Sequence, residues 1–298
     1  MLISIRTRLR IYSVIVCYNP AISRLAALCA SLIQESRVIL VDNSALSTID
    51  LRTLPVGCEL IALGANTGIA HAQNAGIRRA VEQGADVVAL FDQDSQIPDG
   101  FLTALTAPLR SGAARVVAPL FFDDAGGFEF PSMRLNGFGW PRPVYHTTGG
   151  VPYPVDVVIS SGTAVAVSVF EVVGGLDDDL FIDLVDTDWC LRCRSMKIPI
   201  HVVPAAVMRH RIGSRSIDLG ITTVLVHGPE RCYYQIRNSF LLSRKAYVPR
   251  LFALREIVVA LVSRLLLLPF VRGRWAYVRA YSSAVRDGLA GAVGKKRA

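Results

Sequence analysis

The sequence predicts an α/β fold, in which an open and mostly parallel sheet is flanked by helices and followed by a helical tail. Short apolar runs alternate with helical patterns, polar residues follow the ends of those runs, and the segment from residue 241 onward is basic and apolar. Apolar residues make up 52% of the 298 positions and charged residues 19%, which excludes a disordered chain. We expect one domain over residues 1–240 and the tail over residues 241–298.

The first predicted strand is the uninterrupted apolar run at residues 11–18, which Asn19 and Pro20 end. Such a run is typical of a strand that is buried on both faces of a parallel sheet. The later elements alternate in the same way: a helix over residues 22–33, a strand ending at Asp42, a strand ending at Leu63, a helix over residues 70–83 and a fourth strand ending at Asp92.

Residues 121–154 change character, because they are rich in glycine, proline and aromatic residues and show no period. An irregular stretch of this length in a compact domain is usually a functional loop or lid. Regular structure is expected again from residue 155, with a helix near residues 181–196 and a strand near residues 201–210.

The net charge of +8 is concentrated in the tail. Residues 240–298 contain twelve Lys and Arg against two acids, whereas residues 1–239 carry a net charge of −2. The apolar stretch 251–271 is interrupted by Arg264, so it falls short of the ~20 residues that a bilayer span needs. We expect the tail to lie on an anionic membrane surface, with packing against the domain as the alternative. No basic patch interleaved with aromatic residues indicates nucleic acid as a partner.

The six cysteines are scattered without the spacing of a disulfide framework, which indicates a reducing, cytoplasmic compartment. Cys190 and Cys193 form a lone CxxC pair within a predicted helix. Since no second pair accompanies them, core thiols are favoured over a zinc site. Together with the tail, these features predict a cytoplasmic protein that is held at the inner face of the cell membrane.

The first acidic group is Asp92, Gln93 and Asp94 at the end of the fourth predicted strand. Ligands of open parallel sheets bind beyond the carboxyl ends of the strands, so these residues should share one edge with Tyr18 and Asn19. Two carboxylates separated by one residue can hold Mg²⁺ or Mn²⁺ against diphosphate oxygens. The cation would neutralise charge on a departing phosphate, so that its departure needs no acid.

The second acidic group is Asp183, Asp186 and Asp188, which come before the apolar face of a predicted helix. Acids at a helix N-terminus can serve only to complement the helix dipole. Clustered like charges also raise one another's pKa, which suits a general base that removes a proton from a hydroxyl group. The pattern does not choose among the three. Trp189, beside them, either stacks on a ligand ring or belongs to the core.

A cradle of small residues at 63–77 contains Asn66 and Asn74 and would let a ligand approach the backbone at a helix N-terminus. It lacks the GxGxxG pattern, which argues against a dinucleotide site. Asp42 could accept hydrogen bonds from a base or a ribose, or form an ordinary Asx turn. His210 could supply a further metal ligand, although a lone histidine is more often structural.

Taken in order, seven segments resemble family 2 of the inverting glycosyltransferases, and most closely its bacterial rhamnosyltransferase subgroup. They are VIVCYNP, VDNS, GANTGIAHAQNAGI, LFDQDS, SSGTAVAVSVFEVVGGLDDDLFIDLVDTDWCLR, HRIGSRS and YYQIRNSFLLSRK, within residues 11–248. The resemblance implies a GT-A fold, with a Rossmann-like nucleotide-sugar half and an acceptor half. It also implies transfer of a sugar from a nucleoside diphosphate to a glycan or lipid-linked glycan in the synthesis of a bacterial surface polysaccharide such as O-antigen.

The resemblance also implies roles for single residues. The donor would be contacted by Tyr18, Asn19, Asp42, Asn66, Asn74, Asp92 and Gln93, and Asp94 with Asp92 and His210 would hold the metal. Gly162 and Thr163 match a small-residue loop that faces both sugars. Asp186 matches the second acid of a Glu-Asp pair, the catalytic base; Val185 replaces the first acid, and Asp183 could compensate. Arg237 and Asn238 match a late pair without an assigned role.

The predicted reaction is an in-line displacement, in which Asp186 deprotonates an acceptor hydroxyl that displaces the diphosphate. From a β-linked dTDP-L-rhamnose it gives an α-rhamnoside. UDP- or GDP-sugars are alternative donors. A nucleotidyltransferase would need a basic or glycine-rich triphosphate loop early in the chain, which the sequence lacks. A non-catalytic sugar-nucleotide-binding protein would have little need of both acidic groups.

Overall fold

The computed structural model describes residues 9–123, 128–146, 150–209, 216–218 and 223–296. In these ranges the strands, in chain order, are β1 (Ile11–Cys17), β2 (Arg37–Asp42), β3 (Cys58–Ala62), β4 (Val87–Asp92), β5 (Val116–Asp123), β6 (Phe128–Phe130), β7 (Ser132–Leu135), β8 (Pro141–Val144), β9 (Tyr153–Val155), β10 (Ala164–Ala166), β11 (Ile200–Arg209), β12 (Ser216–Asp218) and β13 (Thr223–Leu225). The helices are α1 (Ile22–Leu32), α2 (Ile69–Glu82), α3 (Phe101–Leu105), α4 (Ala107–Arg110), α5 (Val167–Val173), α6 (Val185–Ser195), α7 (Pro229–Ser243), α8 (Arg250–Leu267) and α9 (Arg274–Ala290).

One sheet of nine strands organises the domain, in the spatial order β3, β2, β1, β4, β10, β5, β11, β9, with β6 paired to β5. The first four strands in this order are mutually parallel, and β5 is parallel to β11. Strand β10 lies antiparallel between β4 and β5, and β9 is antiparallel on the β11 edge. The carboxyl ends of β1, β2, β3 and β4 therefore meet at one edge of the sheet.

The core lies on both faces of this sheet, because successive residues of a strand point to opposite sides. Val14 and Val16 of β1 belong to one apolar cluster, and Ile15 and Cys17 belong to the other. Helix α2 approaches β1 closely at Gly76, where a Cβ atom would lie only 2.2 Å from a methyl carbon of Val14. The glycine allows the helix, whose first turn borders the candidate site, to pack directly on the sheet.

The predicted open, mostly parallel sheet with flanking helices is confirmed, and the first four strands end within one residue of their predicted ends. The expectation that residues 121–154 are irregular throughout is wrong. They contain the end of β5, strand β6, the β7–β8 hairpin and the start of β9. These strands are short, and β7 and β8 pair with each other outside the main sheet, where the prolines of β8 are tolerated. They therefore show no period.

The tail consists of α8 and α9, which pack on α7. Gly288 of α9 lies against Phe240 of α7, where an added Cβ would come within 2.9 Å of its side chain. Helix α7 runs across residue 240, so the predicted division at that residue falls within a helix and stays a prediction. In the part of the chain that the structure describes, no helix is long and apolar enough to span a membrane.

Candidate active site

The carboxyl end of β4 carries the first acidic group. Asp92 is the last residue of the strand, and Asp94 lies exposed in the turn that follows. The backbone N–H of Asp92 donates to Ser161 Oγ at 3.2 Å, and Ser161 Oγ lies 3.0 Å from Ser95 Oγ. Since Ser95 and Ser161 are buried, these bonds fix the turn while Asp94 stays in solvent.

Reciprocal hydrogen bonds join the ends of β1 and β4. The backbone N–H of Tyr18 donates to Gln93 Oε1 at 2.6 Å, and Gln93 Nε2 donates to the carbonyl of Tyr18 at 3.2 Å. Asn19, with a φ of 46°, donates its backbone N–H to Ser44 Oγ beyond β2 at 2.8 Å. The Tyr18 ring is 50% exposed and is free to contact a planar group beside this edge.

Asp42 is fully buried at the end of β2. Its Oδ1 accepts the backbone N–H of Ser44 at 3.0 Å, which is the Asx turn that the sequence allows. Its Oδ2 accepts no hydrogen bond from the described residues. A buried polar atom without a partner costs about 1–3 kcal/mol. An N–H or O–H group of a bound ligand would offset that cost.

The loop between β3 and α2 is attached to the segment that carries the second acidic group. Asn43 Nδ2 donates to Asn66 Oδ1 at 3.1 Å, which fixes the loop against the end of β2. Gly68 has a φ of 92°, and a Cβ there would lie 2.6 Å from the carbonyl oxygen of Phe181. This close approach lets the backbone N–H of Ile69 donate to the same oxygen at 2.7 Å.

The turn that presents the second acidic group has an unusual backbone. Phe181, Asp183 and Leu184 have φ values of 63°, 64° and 60°, the left-handed region that residues with a side chain rarely adopt. Asn238 on α7 holds this turn, because its Nδ2 donates to three carbonyl oxygens at positions 180, 182 and 183 at 2.7–2.9 Å. Such conformations persist only where the surrounding structure fixes them.

Arg237 supports the same turn from the core. Its buried guanidinium donates to the carbonyl of Leu180 at 3.0 Å, to Asn238 Oδ1 at 2.9 Å and to the carbonyl of Gly294 at 2.5 Å. It also lies over the ring of Tyr234. The late Arg-Asn pair therefore shapes the turn that carries Asp183, and it fixes the segment after α9 to the domain.

Asp186 lies in the first turn of α6, two residues after the left-handed Leu184. Burial raises the pKa of Asp186, and the charge of Asp183 raises it further; hydrogen bonds from the backbone of Thr187 and Ser160 act in the opposite direction. The Thr187 N–H donates to Asp186 Oδ1 at 2.8 Å. A carboxylate with a raised pKa is a stronger base than an exposed one, which suits proton abstraction.

Asp186 also borders a cavity of about 150 Å³, which is a candidate place for an acceptor group. Its other walls come from β5, β6, β7 and the segment before β10, including Phe130, Met133 and Ile159. The cavity therefore involves the region that shows no period in the sequence. Residues 124–127 of that region lie outside the described ranges.

Arg231 and the 158–163 loop bring the two acidic groups together. The Arg231 guanidinium donates to both carboxylate oxygens of Asp183 at 3.1–3.2 Å. Burial lowers the pKa of Arg231, but the charges of Asp183 and Asp92 outweigh it and raise the pKa overall. In the loop, the backbone of Ser160 bonds to Asp186, and Ser161 bonds to the N–H of Asp92.

Gly162 and Thr163 shape this loop. Gly162 has a φ of 74° and donates its N–H to the carbonyl of Leu90 at 2.6 Å. An added Cβ at Gly162 would lie 2.7 Å from Pro119, so the position is closed to side chains. Thr163 is buried, and its hydroxyl donates to the carbonyl of Ile159 at 2.7 Å. Both residues thus act through the shape of the loop.

Asp188, the third candidate base, lies in the core. Its carboxylate is fully buried and bonded to Arg192 Nε at 3.1 Å, to Lys245 Nζ at 2.9 Å and to the hydroxyl of Tyr247. Asp186 and Asp188 are two residues apart on a helix, so they point to different sides. Asp188 binds the segment after α7 to α6, and its carboxylate is closed off from solvent.

Trp189 and Asn74 also have their partners within the protein. The Trp189 ring is buried against Phe170, and its indole N–H donates to the carbonyl of Gly174 at 3.0 Å, so it belongs to the core and not to a sugar platform. The side-chain amide of Asn74 exchanges hydrogen bonds with the backbone of Leu176 at 2.8 Å. It holds the turn after α5 and does not contact the edge formed by the strand ends.

In the described part of the chain, no three His, Cys, Asp or Glu side chains are grouped to hold a metal. His210 lies outside the described residues. Asp92 and Asp94 still fit Mg²⁺ or Mn²⁺, because Mg²⁺ in phosphate-transfer sites is usually bound by one or two protein carboxylates, with substrate phosphates and waters as the other ligands. Such a site is complete only when the phosphates of the substrate are bound.

Several site residues were missed by sequence reasoning. No local sequence pattern indicates a role for Arg231, because only the fold brings the start of α7 to Asp183. Ser161 lies in a small-residue loop that could have suggested it. Lys295 donates to the carbonyl of Asn66 at 3.4 Å, which places a cation at the rim of the loop after β3. No periodic pattern links residues this far apart.

A family model described as glycosyl transferase family 2 matches residues 13–174. Among curated proteins, dTDP-rhamnosyl transferase RfbF of Shigella flexneri is 38% identical over 289 residues, which cover 96% of this chain and 98% of that protein.

Solved structures share the fold at low identity. S. aureus TarS 1-349, solved in complex with UDP-GlcNAc, has a TM-score of 0.55 and 14% identity, over 95% of this chain and 81% of that one. GalNAc-T7, solved with UDP, GalNAc and Mn²⁺, has a TM-score of 0.56 and 16% identity. That match covers 69% of this chain and 44% of the longer GalNAc-T7 chain.

Proposed function

The chain belongs to glycosyl transferase family 2 and has the GT-A fold, and on that basis we propose that it transfers L-rhamnose from dTDP-L-rhamnose to a glycan hydroxyl with inversion. The observation that carries the proposal is that both acidic groups meet the 158–163 loop, where Ser161 Oγ accepts the backbone N–H of Asp92 and Ser160 lines a small cavity together with Asp186. The likeness to dTDP-rhamnosyl transferase RfbF over nearly the whole of both chains supports the donor.

The nucleoside would bind where the ends of β1, β2 and β3 meet. Asp42 Oδ2, which accepts no hydrogen bond from the described residues, would accept the imide N–H of thymine or a ribose hydroxyl. Tyr18 offers an exposed ring beside it, and Asn66 forms the wall on the β3 side. Lys295, at the carbonyl of Asn66, adds a positive charge where a doubly charged diphosphate approaches.

Asp94, with Asp92, would hold Mg²⁺ or Mn²⁺. Bound there, the ion would neutralise charge on the diphosphate as it leaves the sugar. Asp94 suits this role because it is exposed, while its turn is fixed through the buried Ser95 and Ser161. The charge of Asp92 contributes to the raised pKa of Arg231, and this guanidinium would attract the same diphosphate.

Asp186 would be the general base. Arg231 donates through Nε and Nη2 to the carboxylate of Asp183, whereas the carboxylate of Asp186 accepts the backbone N–H of Thr187 and borders the 150 Å³ cavity. An acceptor hydroxyl in that cavity would give its proton to Asp186 and attack the anomeric carbon opposite to the diphosphate. The attack inverts that carbon, so a β-linked donor yields an α-rhamnoside.

The acceptor would be a glycan or lipid-linked glycan of a bacterial surface polysaccharide, and the reaction would take place at the cytoplasmic face of the cell membrane. The charge of the tail supports this location, since residues 240–298 carry twelve of the 32 Lys and Arg residues. The open cavity beside Asp186 is compatible with an extended sugar chain that enters from solvent.

A donor panel tests the proposal. Purified protein is incubated with dTDP-L-rhamnose, UDP-sugars and GDP-sugars, with Mg²⁺, with Mn²⁺ and after chelation, and the released nucleoside diphosphate is measured. We expect release from dTDP-L-rhamnose that needs a divalent cation and is absent in Asp186→Asn. Release from a UDP- or GDP-sugar alone would overturn the donor assignment, and tight binding without release from any donor would indicate a non-catalytic sugar-nucleotide-binding protein.

A further inference from the structure

Helix α8 exposes a continuous apolar stripe. Six of its Leu and Val side chains are between 45% and 58% exposed: Leu251, Leu254, Val258, Val262, Leu265 and Leu266. The first five follow one another at intervals of three or four residues and Leu266 stands next to Leu265, which places all six on one side of a helix. Soluble proteins rarely leave an apolar surface of this extent uncovered, so the stripe indicates an interaction surface.

The opposite side of α8 is fixed to the protein. Phe252 and Ala253 are buried in a cluster with α6 and α7 residues, and Leu261 packs against the cluster shared by α7 and α9. The stripe therefore belongs to a helix that is held in place, and it does not result from a detached segment. Beyond α8, Phe270 is 50% exposed and Trp275 is 78% exposed, which extends the same apolar character towards the start of α9.

The charges around the stripe indicate whether a second copy of the chain or a lipid surface covers it. Arg250 stands exposed at its beginning, and Arg272 and Arg274 stand exposed beyond its end. The single acid of α8, Glu256, is bonded to Arg255. A second copy of the chain docked on this face would bring two tails of net charge +10 together. An anionic lipid surface offers both an apolar interior for the stripe and negative headgroups for the arginines.

We propose that α8, with Phe270 and Trp275, is a membrane-docking face that lies in the plane of an anionic bilayer. Its apolar stripe enters the headgroup–acyl boundary, while the flanking arginines contact the phosphates. This inference rests on the proposed function in one respect: it explains how a membrane-attached acceptor reaches the site.

The position of α8 relative to the acids fits this arrangement. Helix α8 packs on α7, and the first turn of α7 carries Arg231. Leu261 of α8 packs against the cluster that contains Phe181, from the turn that presents the second acidic group. Docking through the other side of α8 would therefore keep that turn near the bilayer surface.

Flotation with lipid vesicles tests the docking face without donor or acceptor. The full chain is mixed with vesicles of phosphatidylcholine alone, or of phosphatidylcholine with an equal part of phosphatidylglycerol, and the bound fraction is measured at low and high salt. We expect binding to the anionic vesicles that weakens with salt and is much lower with phosphatidylcholine alone. Wild-type protein that stays unbound with the anionic vesicles would overturn the proposal.

Two matched double variants locate the surface. Val258→Gln/Leu265→Gln should lower the bound fraction at least about tenfold, because it interrupts the stripe. The control, Val56→Gln/Val172→Gln, changes two exposed apolar residues away from α8 and should bind as the wild type does. Circular dichroism and nucleoside-diphosphate binding confirm that both variants fold. A stripe variant that floats like the wild type overturns the proposal, as does a dimer in light scattering that only the stripe variant loses.

The two proposals fail separately. A protein that binds anionic vesicles but releases nothing from any sugar nucleotide supports the docking face and contradicts the proposed function. A protein that turns over dTDP-L-rhamnose but does not bind the vesicles supports the proposed function and contradicts the docking face.

Discussion

Asn238 Nδ2 lies 2.8 Å from the carbonyl oxygen of Asp183, and the same amide reaches two further carbonyl groups of the turn. Asn238 is fully buried on α7, whereas Asp183 faces Arg231. Asn238 thus helps to fix the left-handed conformation of the turn from a distant helix, together with its neighbour Arg237. This relationship makes the position of the second acidic group depend on the packing of α7.

Asn238→Ala should lower both stability and turnover. The variant removes the amide donor from the partly buried carbonyl groups of Ile182 and Asp183, while Leu180 keeps Arg237, and we expect a cost of about 1–3 kcal/mol in the free energy of unfolding. A displaced turn also moves Asp186, so we expect turnover to fall by about tenfold or more. Denaturant unfolding and donor turnover measure the two effects. Asn136→Ala is the matched control, since Asn136 holds the β7–β8 hairpin through backbone bonds and should affect stability only.

Asp186→Asn should abolish turnover and leave donor binding intact. A general base contributes about 10²- to 10⁴-fold to a rate, and it acts on the acceptor and not on the diphosphate. The amide oxygen of the variant can still accept the Thr187 N–H, so the fold should be kept. Calorimetric titration with dTDP and a turnover assay separate the two properties. Turnover at the wild-type rate would reject Asp186 as the base.

The pH dependence of turnover should respond to Asp183. A general base works deprotonated, so turnover declines as the pH falls through the pKa of Asp186, which burial and then the Asp183 charge raise above its ordinary value. Asp183→Asn removes that negative charge, so the pKa of Asp186 falls and the acidic limb of the profile moves to lower pH.

A surface pair gives the control for this shift. Asp50 and Arg52 form an Asp–Arg ion pair, as Asp183 and Arg231 do, but on the exposed surface. Asp50→Asn should therefore leave the acidic limb of the turnover profile unchanged. A limb that stays in place in Asp183→Asn, or moves to higher pH, contradicts the assignment of Asp186.

The sequence predicts the edge of the site because its signals are local. Asp42 and Asp92 each end an apolar run that only a strand buried on both faces explains, and parallel strands bring such ends together. The sequence does not predict the role of a side chain whose partners are distant in the chain. Asn74 faces Leu176, about a hundred residues later, and Asp188 faces Lys245. Helical spacing alone predicts that Asp186 and Asp188 diverge, but not which of them is buried.

Asp94→Asn should weaken binding of the nucleoside diphosphate in the presence of Mn²⁺ by at least about tenfold, a loss of about 1.4 kcal/mol. A neutral amide at this position is a poorer ligand for a hard cation than a carboxylate. Binding is measured by titration with dTDP at several Mn²⁺ concentrations. Asp99→Asn changes another exposed acid of the same region and should bind as the wild type does. Equal Mn²⁺-dependent affinity in Asp94→Asn would contradict the metal assignment.

Asp188→Asn should show the converse of Asp186→Asn. Its carboxylate is buried between Arg192 and Lys245, and removing one member of a buried charged network typically costs about 3–5 kcal/mol in the free energy of unfolding. Lys245 keeps Asp177 as a partner, so we expect the lower end of that range. Because Asp188 does not face the 150 Å³ cavity, turnover per folded molecule should stay within about twofold of the wild type.

Chemical denaturation and turnover, measured on both variants, give the contrast that decides between these two acids of α6. The expected pattern is an unstable but active Asp188→Asn and a stable but inactive Asp186→Asn. If Asp188→Asn instead keeps its stability and loses turnover, the base lies on the side of α6 that the structure assigns to the core.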